Sequence, residues 1–266
     1  MTIHVVGAGG MLGQDAVRAA GERAVALTHA DLDVTDRAAV GEALGGATVI
    51  NCAAYTNVDG AESESELAHA VNADGARNVA EVAKRVLYVS TDYVFDGAKR
   101  EPYVESDPTA PLQEYGHSKL GGEHATAAAN ENHLIVRSSW LFGAGGRNFV
   151  DTMLALAGER DELLVVDDQV GVPTFTGHLA EALVALADGG ERGLLHVTGS
   201  GSCSWFGFAR AIFDRAGVDA AVSPCTTDEF PRPARRPRFS VLASERGAPA
   251  LPAWEEGLDA YLGVRA

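Results

Sequence analysis

A doubly wound α/β fold, a parallel sheet with a smaller C-terminal part appended, is what these 266 residues predict. Three observations carry that expectation. Short β-branched runs alternate with longer amphipathic stretches through the first half of the chain. A glycine-rich turn follows the first such run and opens the first amphipathic stretch. After Trp140 the alternation loosens, as it would where a second part of the molecule begins.

The elements follow in order. Strands are expected over Ile3–Val6, Val25–Leu27, Thr48–Cys52, Val86–Ser90 and His133–Arg137, each a short aliphatic run bounded by turn residues. Between them, apolar residues at helical spacing predict helices over Met11–Ala20, Asp36–Leu44, Ser65–Ala83 and Gln113–Ala129. The connection Ala83-Lys84-Arg85 leaves almost no turn before the strand at Val86. Beyond Trp140 the pattern predicts a helix near Asn148–Ala157, a strand near Leu163–Val166 and a loop from Asp167 to Thr174. A helix near Thr176–Leu186 and a strand at Leu194–Val197 have the spacing to return to the main sheet. The last third predicts a helix near Trp205–Ala216, a Pro/Arg-rich loop from Pro231 to Pro237 and a terminal helix after Glu255.

Composition excludes several classes. The formal net charge of −16 opposes a nucleic-acid groove or an anionic membrane surface, both of which need positive potential. No apolar run approaches the length of a membrane span, and Met1-Thr2-Ile3-His4 leads into a strand without the basic start of a signal peptide. Cys52, Cys203 and Cys225 lie far apart, so a reducing, cytoplasmic compartment is expected. The eight histidines show no paired ligand spacing, and no metal is expected. With three lysines against eighteen arginines, the acidic surface suits a halophile, and equally a mildly acidic mesophile with a GC-rich genome.

The glycine turn reads Gly7-Ala8-Gly9-Gly10-Met11-Leu12-Gly13. Missing Cβ atoms at Gly7, Gly10 and Gly13 allow a tight turn and let the backbone approach a pyrophosphate at a helix N-terminus. The expectation is a Rossmann-type dinucleotide-binding domain over 1–145, rejoined by about 174–198, and a substrate domain over 146–266. The second strand ends Leu27-Thr28-His29-Ala30, with no carboxylate before Asp31 to oppose a 2′-phosphate. That favours NADPH and leaves NADH open.

Tyr115-Gly116-His117-Ser118-Lys119 places a phenol and an ammonium one turn apart on one helix face. A phenol with a pKa near ~10 is a poor acid–base group at neutral pH, and an adjacent cation is expected to lower it. Ser90 and Thr91 end the fourth strand, where ligands of parallel sheets bind, so either hydroxyl is a candidate for a substrate carbonyl. Each feature has a plain reading too. The turn joins a strand to a helix, the hydroxyls cap a strand, and Trp140 fills a core.

Together these motifs resemble the extended short-chain dehydrogenase/reductase superfamily. Further stretches are similar to one of its families, the dTDP-4-dehydrorhamnose reductases. They are Ala53-Ala54-Tyr55-Thr56-Asn57-Val58-Asp59, Ser90-Thr91-Asp92-Tyr93-Val94-Phe95, Arg137-Ser138-Ser139-Trp140, Asp168-Gln169-Val170-Gly171-Val172-Pro173-Thr174 and Pro233-Ala234-Arg235-Arg236-Pro237. The resemblance implies reduction by NAD(P)H of a 4-keto group on a dTDP-6-deoxyhexose, giving dTDP-L-rhamnose. It implies Tyr115 as proton donor, Lys119 as its partner and Thr91 as the hydroxyl on the carbonyl oxygen. Asp92 and Trp140 would touch the sugar. Gly10, Met11, Leu12, Ala54, Tyr55 and Thr56 would line the cofactor, with Asp33 and Val34 near its adenine. Met11 departs from the glutamine common in the family's glycine loop.

Arg232, Arg235, Arg236 and Arg238 form a rare positive cluster, suited to a diphosphate or to ion pairs with the many acids. A nucleotide-diphospho-sugar is the expected partner, and a homodimer is compatible with the sequence. Two alternatives stay open. One is a nucleotide-sugar epimerase or dehydratase with tightly held NAD. The other is a non-catalytic NADP-binding regulatory subunit of methionine adenosyltransferase, which would not need the Tyr115/Lys119/Thr91 set.

Overall fold

In the computed structural model, which describes residues 1–265, the first half of the chain builds a sheet by successive crossovers. Its elements are β1 (Ile3–Val6), α1 (Met11–Ala20), β2 (Ala24–Leu27), α2 (Arg37–Leu44), β3 (Thr48–Asn51), α3 (Ser65–His69), α4 (Gly75–Val82), β4 (Arg85–Thr91), α5 (Glu114–Ala129) and β5 (His133–Ser138). The second half contributes β6 (Leu141–Phe142), α6 (Phe149–Ala157), β7 (Glu162–Val166), β8 (Val170–Gly171), β9 (Thr174–Phe175) and α7 (Thr176–Asp188). After these come β10 (Gly193–His196), β11 (Cys203–Ser204), α8 (Trp205–Ala216), β12 (Ala221–Cys225) and α9 (Trp254–Arg265).

Six strands pair in parallel in the order β10-β5-β4-β3-β1-β2. The order reverses between β1 and β3, so a crevice opens beyond their carboxyl ends, where ligands of such sheets bind. β3 and β4 are buried along their whole length, as strands covered on both faces must be, which explains the apolar runs Val49–Ile50 and Val86–Val89 at their centres. One face carries α1 and α7 over Ile3, Val5, Leu87, Leu134, Leu179 and Leu183. On the other, α2 and α4 cover Val6, Val49, Val79 and Val86. A second core, around Phe142, Phe208, Trp254 and Tyr261, holds α6, α8 and α9 together.

Local signals set most boundaries. Asp36 caps α2 by accepting the Ala38 and Ala39 amides, and Ser204 caps α8 through the Gly207 amide. Gly217 ends α8 in the left-handed conformation. Three expectations need correction. The single helix expected over Ser65–Ala83 is interrupted by a π-helical turn at Ala70–Asp74. The loop expected over Asp167–Thr174 contains the short strand β8, paired with β11. Strand β12 was not anticipated; Pro224 lies within it, and it pairs only with β7.

Candidate active site

The glycine turn takes the form its sequence requires. Gly7 has φ +77°, and a Cβ there would lie 2.6 Å from the Ala53 amide nitrogen. A Cβ at Gly13 would overlap the Gly7 carbonyl oxygen. Gly10 is different: it is the N-cap of α1, gives the helix no side-chain cap, and a Cβ there would meet nothing closer than 3.5 Å. The first amides of α1 are therefore offered to an incoming anion, which fits a dinucleotide pyrophosphate. Met11 packs against Gly146, and Gln14 donates to the carbonyls of Gly9 (2.9 Å) and Gly145 (3.1 Å), tying this turn to the loop before α6.

Past β2, Asp31 folds back to accept the Thr28 amide and hydroxyl at 2.9 and 2.7 Å, which holds its carboxyl below the usual range. Its charge serves the chain's own turn. Asp33 does the same for Thr35, while Val34 is buried against Gly75. Ala54, Tyr55 and Thr56 leave the end of β3 on the opposite side of the crevice.

Strand β4 delivers the proposed chemistry. Side chains alternate across a strand, so Ser90 and Thr91 point to opposite faces. Ser90 donates to Glu123 at 2.5 Å beneath the site, which removes it as a candidate for a substrate carbonyl. Thr91 lies beside the Tyr115 phenol, and its hydroxyl opposes the effect of burial on that phenol. It also donates to Asp92 Oδ1 at 3.1 Å and accepts the Tyr93 amide. Asp92 is buried, with Oδ2 lacking a partner among the described residues. Burial pushes its carboxyl up to about 7, against the pull of the Ser240 and Thr91 hydroxyls.

The Tyr–Lys pair corrects an expectation. Burial pushes the Tyr115 phenol up rather than down, and the nearby Asp92 carboxylate adds to the effect. Lys119 is buried too, donates to the Val89 carbonyl at 2.7 Å and lies 4.1 Å from the Tyr88 ring centre. Desolvation lowers its ammonium to about 7, opposed by Glu123 and Cys52. The resting phenol therefore keeps its proton, the form a proton donor needs.

Several residues went unnoticed in the sequence. Asn72, fully buried in the π-helical turn, accepts the Tyr55 amide at 2.8 Å and donates to Tyr55 O at 3.1 Å and Ser118 Oγ at 2.9 Å. It ties the β3 loop to helix α5, and π turns of this kind often mark functional sites. Its sequence signal was slight, one of two asparagines, with Asn78, in an alanine-rich stretch. Glu123 lies one turn beyond Lys119 and forms a buried two-point pair with Arg137 at 2.8 and 2.6 Å. Its spacing from Lys119 was legible; its partner on β5 was not.

Trp140 has φ +46°, the only positive φ of a non-glycine among the described residues. Its ring stacks on Trp205 with centroids 3.5 Å apart and abuts Gly171, so it bridges the sheet and the second core while staying partly exposed. Four arginines line a cleft of about 450 Å³ together with Gln169 and Thr227. Arg232 and Arg236 are paired with Asp59; Arg235 and Arg238 have no carboxylate partner among the described residues. The cluster thus divides between ion pairing and free charge.

Residues 1–265 match the family described as RmlD substrate binding domain. The chain is 46% identical to the dTDP-4-dehydrorhamnose reductase of Mycolicibacterium smegmatis, across 96% of this chain and 83% of that protein. The chain belongs to the dTDP-4-dehydrorhamnose reductase family. A solved member from Bacillus anthracis, in complex with NADP, superposes with TM-score 0.95 at 38% identity over the whole of both chains. Another, from Clostridium acetobutylicum, gives TM-score 0.94 at 40% identity, covering 100% of this chain and 99% of that one. Thermus thermophilus UDP-glucose 4-epimerase, at 20% identity and TM-score 0.83, shares the Rossmann-type fold alone. Among the described residues no helix is long and apolar enough to cross a membrane, and no three His, Cys, Asp or Glu side chains gather as metal ligands do.

Proposed function

We propose that this reductase-family chain reduces the 4-keto group of a dTDP-6-deoxyhexose, converting dTDP-4-dehydrorhamnose to dTDP-L-rhamnose. The observation that carries this reading is the juxtaposition of Thr91 and Tyr115 at the carboxyl end of β4, the same end of the sheet as the uncapped N-terminus of α1. NADPH, held along Gly7–Gly13, Asp33–Val34 and Ala54–Thr56, supplies the hydride when bound. Thr91 holds the carbonyl oxygen, and Tyr115 donates the proton that this oxygen takes up. Lys119, fixed by the Val89 carbonyl, presents its amine at the floor of the site, where preorganised donors count most. Asp92 and Trp140 contact the sugar, and Arg235 with Arg236 meets the diphosphate, as charged forks suit phosphate oxygens.

The test is absorbance of NADPH with dTDP-4-dehydrorhamnose, repeated with NADH. The expected result is stoichiometric oxidation of the cofactor and formation of dTDP-L-rhamnose. Purified chain carrying NAD, with no net consumption of added cofactor, would overturn the reading in favour of an epimerase or dehydratase.

A further inference from the structure

The segment Tyr55–Glu64 touches three parts of the molecule that are distant in sequence. At its start, the Tyr55 amide is held by Asn72. Near its end, Glu62 accepts the Glu114 amide at 3.0 Å, at the first turn of the helix that carries Tyr115. Midway, Asp59 reaches across to the arginine loop. Its Oδ2 accepts Arg232 Nε at 3.0 Å, while its Oδ1 accepts the Ala234 amide at 3.2 Å and pairs with Arg236 Nη1. Both of its oxygens are thereby occupied by donors lying 173–177 residues further along the chain. Two guanidiniums and an amide hold its carboxyl well below the usual carboxylate range.

This arrangement exceeds what a surface ion pair needs. Arg236 is mostly buried and lines the cleft with Arg235 and Arg238. The carboxylate that fixes it belongs to the loop leaving β3, the side of the crevice assigned to the dinucleotide. Ordering of that loop would reach the arginines through Asp59, because its two oxygens are held separately, Oδ2 by Arg232 and Oδ1 by Arg236 and the Ala234 amide.

We propose that Asp59 is a positioning residue that couples the dinucleotide side of the cleft to its arginine side, placing Arg236 and Arg232 for a nucleotide diphosphate. The proposal rests on the reading that the arginine cleft takes the substrate's diphosphate. Coupling between two sites is measured as a ratio of affinities, commonly about 5- to 150-fold.

The experiment uses the full chain and titrates dTDP with and without saturating NADPH. The intact protein binds dTDP about ten-fold more tightly with NADPH present. Asp59→Asn brings that ratio to within about two-fold of one, and raises KM for the nucleotide-sugar more than it lowers kcat. Arg232→Ala, which removes one guanidinium from the other end, lowers the ratio as well and guards against a folding defect peculiar to the first variant. A ratio of one in the intact protein, or an unchanged ratio in Asp59→Asn, overturns the proposal. The double variant Arg235→Ala/Arg236→Ala separates the two claims. Wild-type dTDP affinity there defeats the cleft reading itself. A loss of affinity there, with the ratio kept in Asp59→Asn, defeats only the coupling.

Discussion

The β4–α5 face and the 227–238 loop both carry charge toward the same crevice, but they hold it in opposite ways. On the first, Lys119, Asp92, Glu123 and Arg137 are buried, each fixed by short contacts to neighbouring backbone or side chains. On the second, Arg232, Arg235 and Arg238 are exposed, and the pairing available to the loop runs through Asp59. Burial makes protonation states adjustable, since desolvation moves a pKa by whole units. Exposure leaves guanidiniums fully charged and free to meet a ligand. This contrast supports the proposal that the first region transfers the proton and the second captures the anion.

The largest test of this division is Tyr115→Phe. It should lower kcat by about 10²–10⁴-fold while leaving the circular dichroism spectrum and the KM for the nucleotide-sugar nearly unchanged. Undiminished turnover would remove the buried face from the chemistry. Next comes Glu123→Ala, which strands Arg137 without its partner. Breaking a buried pair in this way costs about 3–5 kcal/mol, so the denaturation midpoint should fall sharply. A fall no larger than that of Arg23→Ala, an exposed pair with Asp188, would mean that burial adds little to the Glu123–Arg137 pair.

The pH dependence of stability probes the same face. The Asp92 carboxyl lies higher in the folded chain, at about 7, than its ordinary value of 3.8. Between those values the folded state binds the extra proton, so stability is fully present below about pH 4 and falls as pH rises toward 7. Three units correspond to at most on the order of 4 kcal/mol. Melting temperatures of Asp92→Asn should lose this slope; an unchanged slope would assign it to another group. The smallest expected effect is Met11→Gln. The glycine turn binds through its backbone, so KM for NADPH should change by less than about two-fold.

Much of this was legible in the chain. The β1–α1 turn announced itself because the positive φ of Gly7 and the closeness of Gly13 to the Gly7 carbonyl demand glycine, and the strand–helix order of the first half followed from periodicity. Tyr115 and Lys119 stood out as candidates because four residues of helix put two side chains on one face. Thr91 could not be separated from Ser90 until the strand's faces were known. The arginines read as one cluster, yet Asp59, 173 residues before Arg232, divides them into paired and free. The interruption at Asn72 was hidden because alanine-rich sequence suits an α-turn and a π-turn alike.

The sequence by itself determined the parallel α/β sheet, the form of the glycine turn and the candidate Tyr–Lys spacing, since each depends largely on neighbours within a few residues. Only the tertiary structure decided which hydroxyl faces that phenol, that burial rather than Lys119 governs its acidity, and which arginines are free. Desolvation and ion pairing depend on what packs beside a group in space. Segments more than a hundred residues apart meet here only because the sheet brings them together.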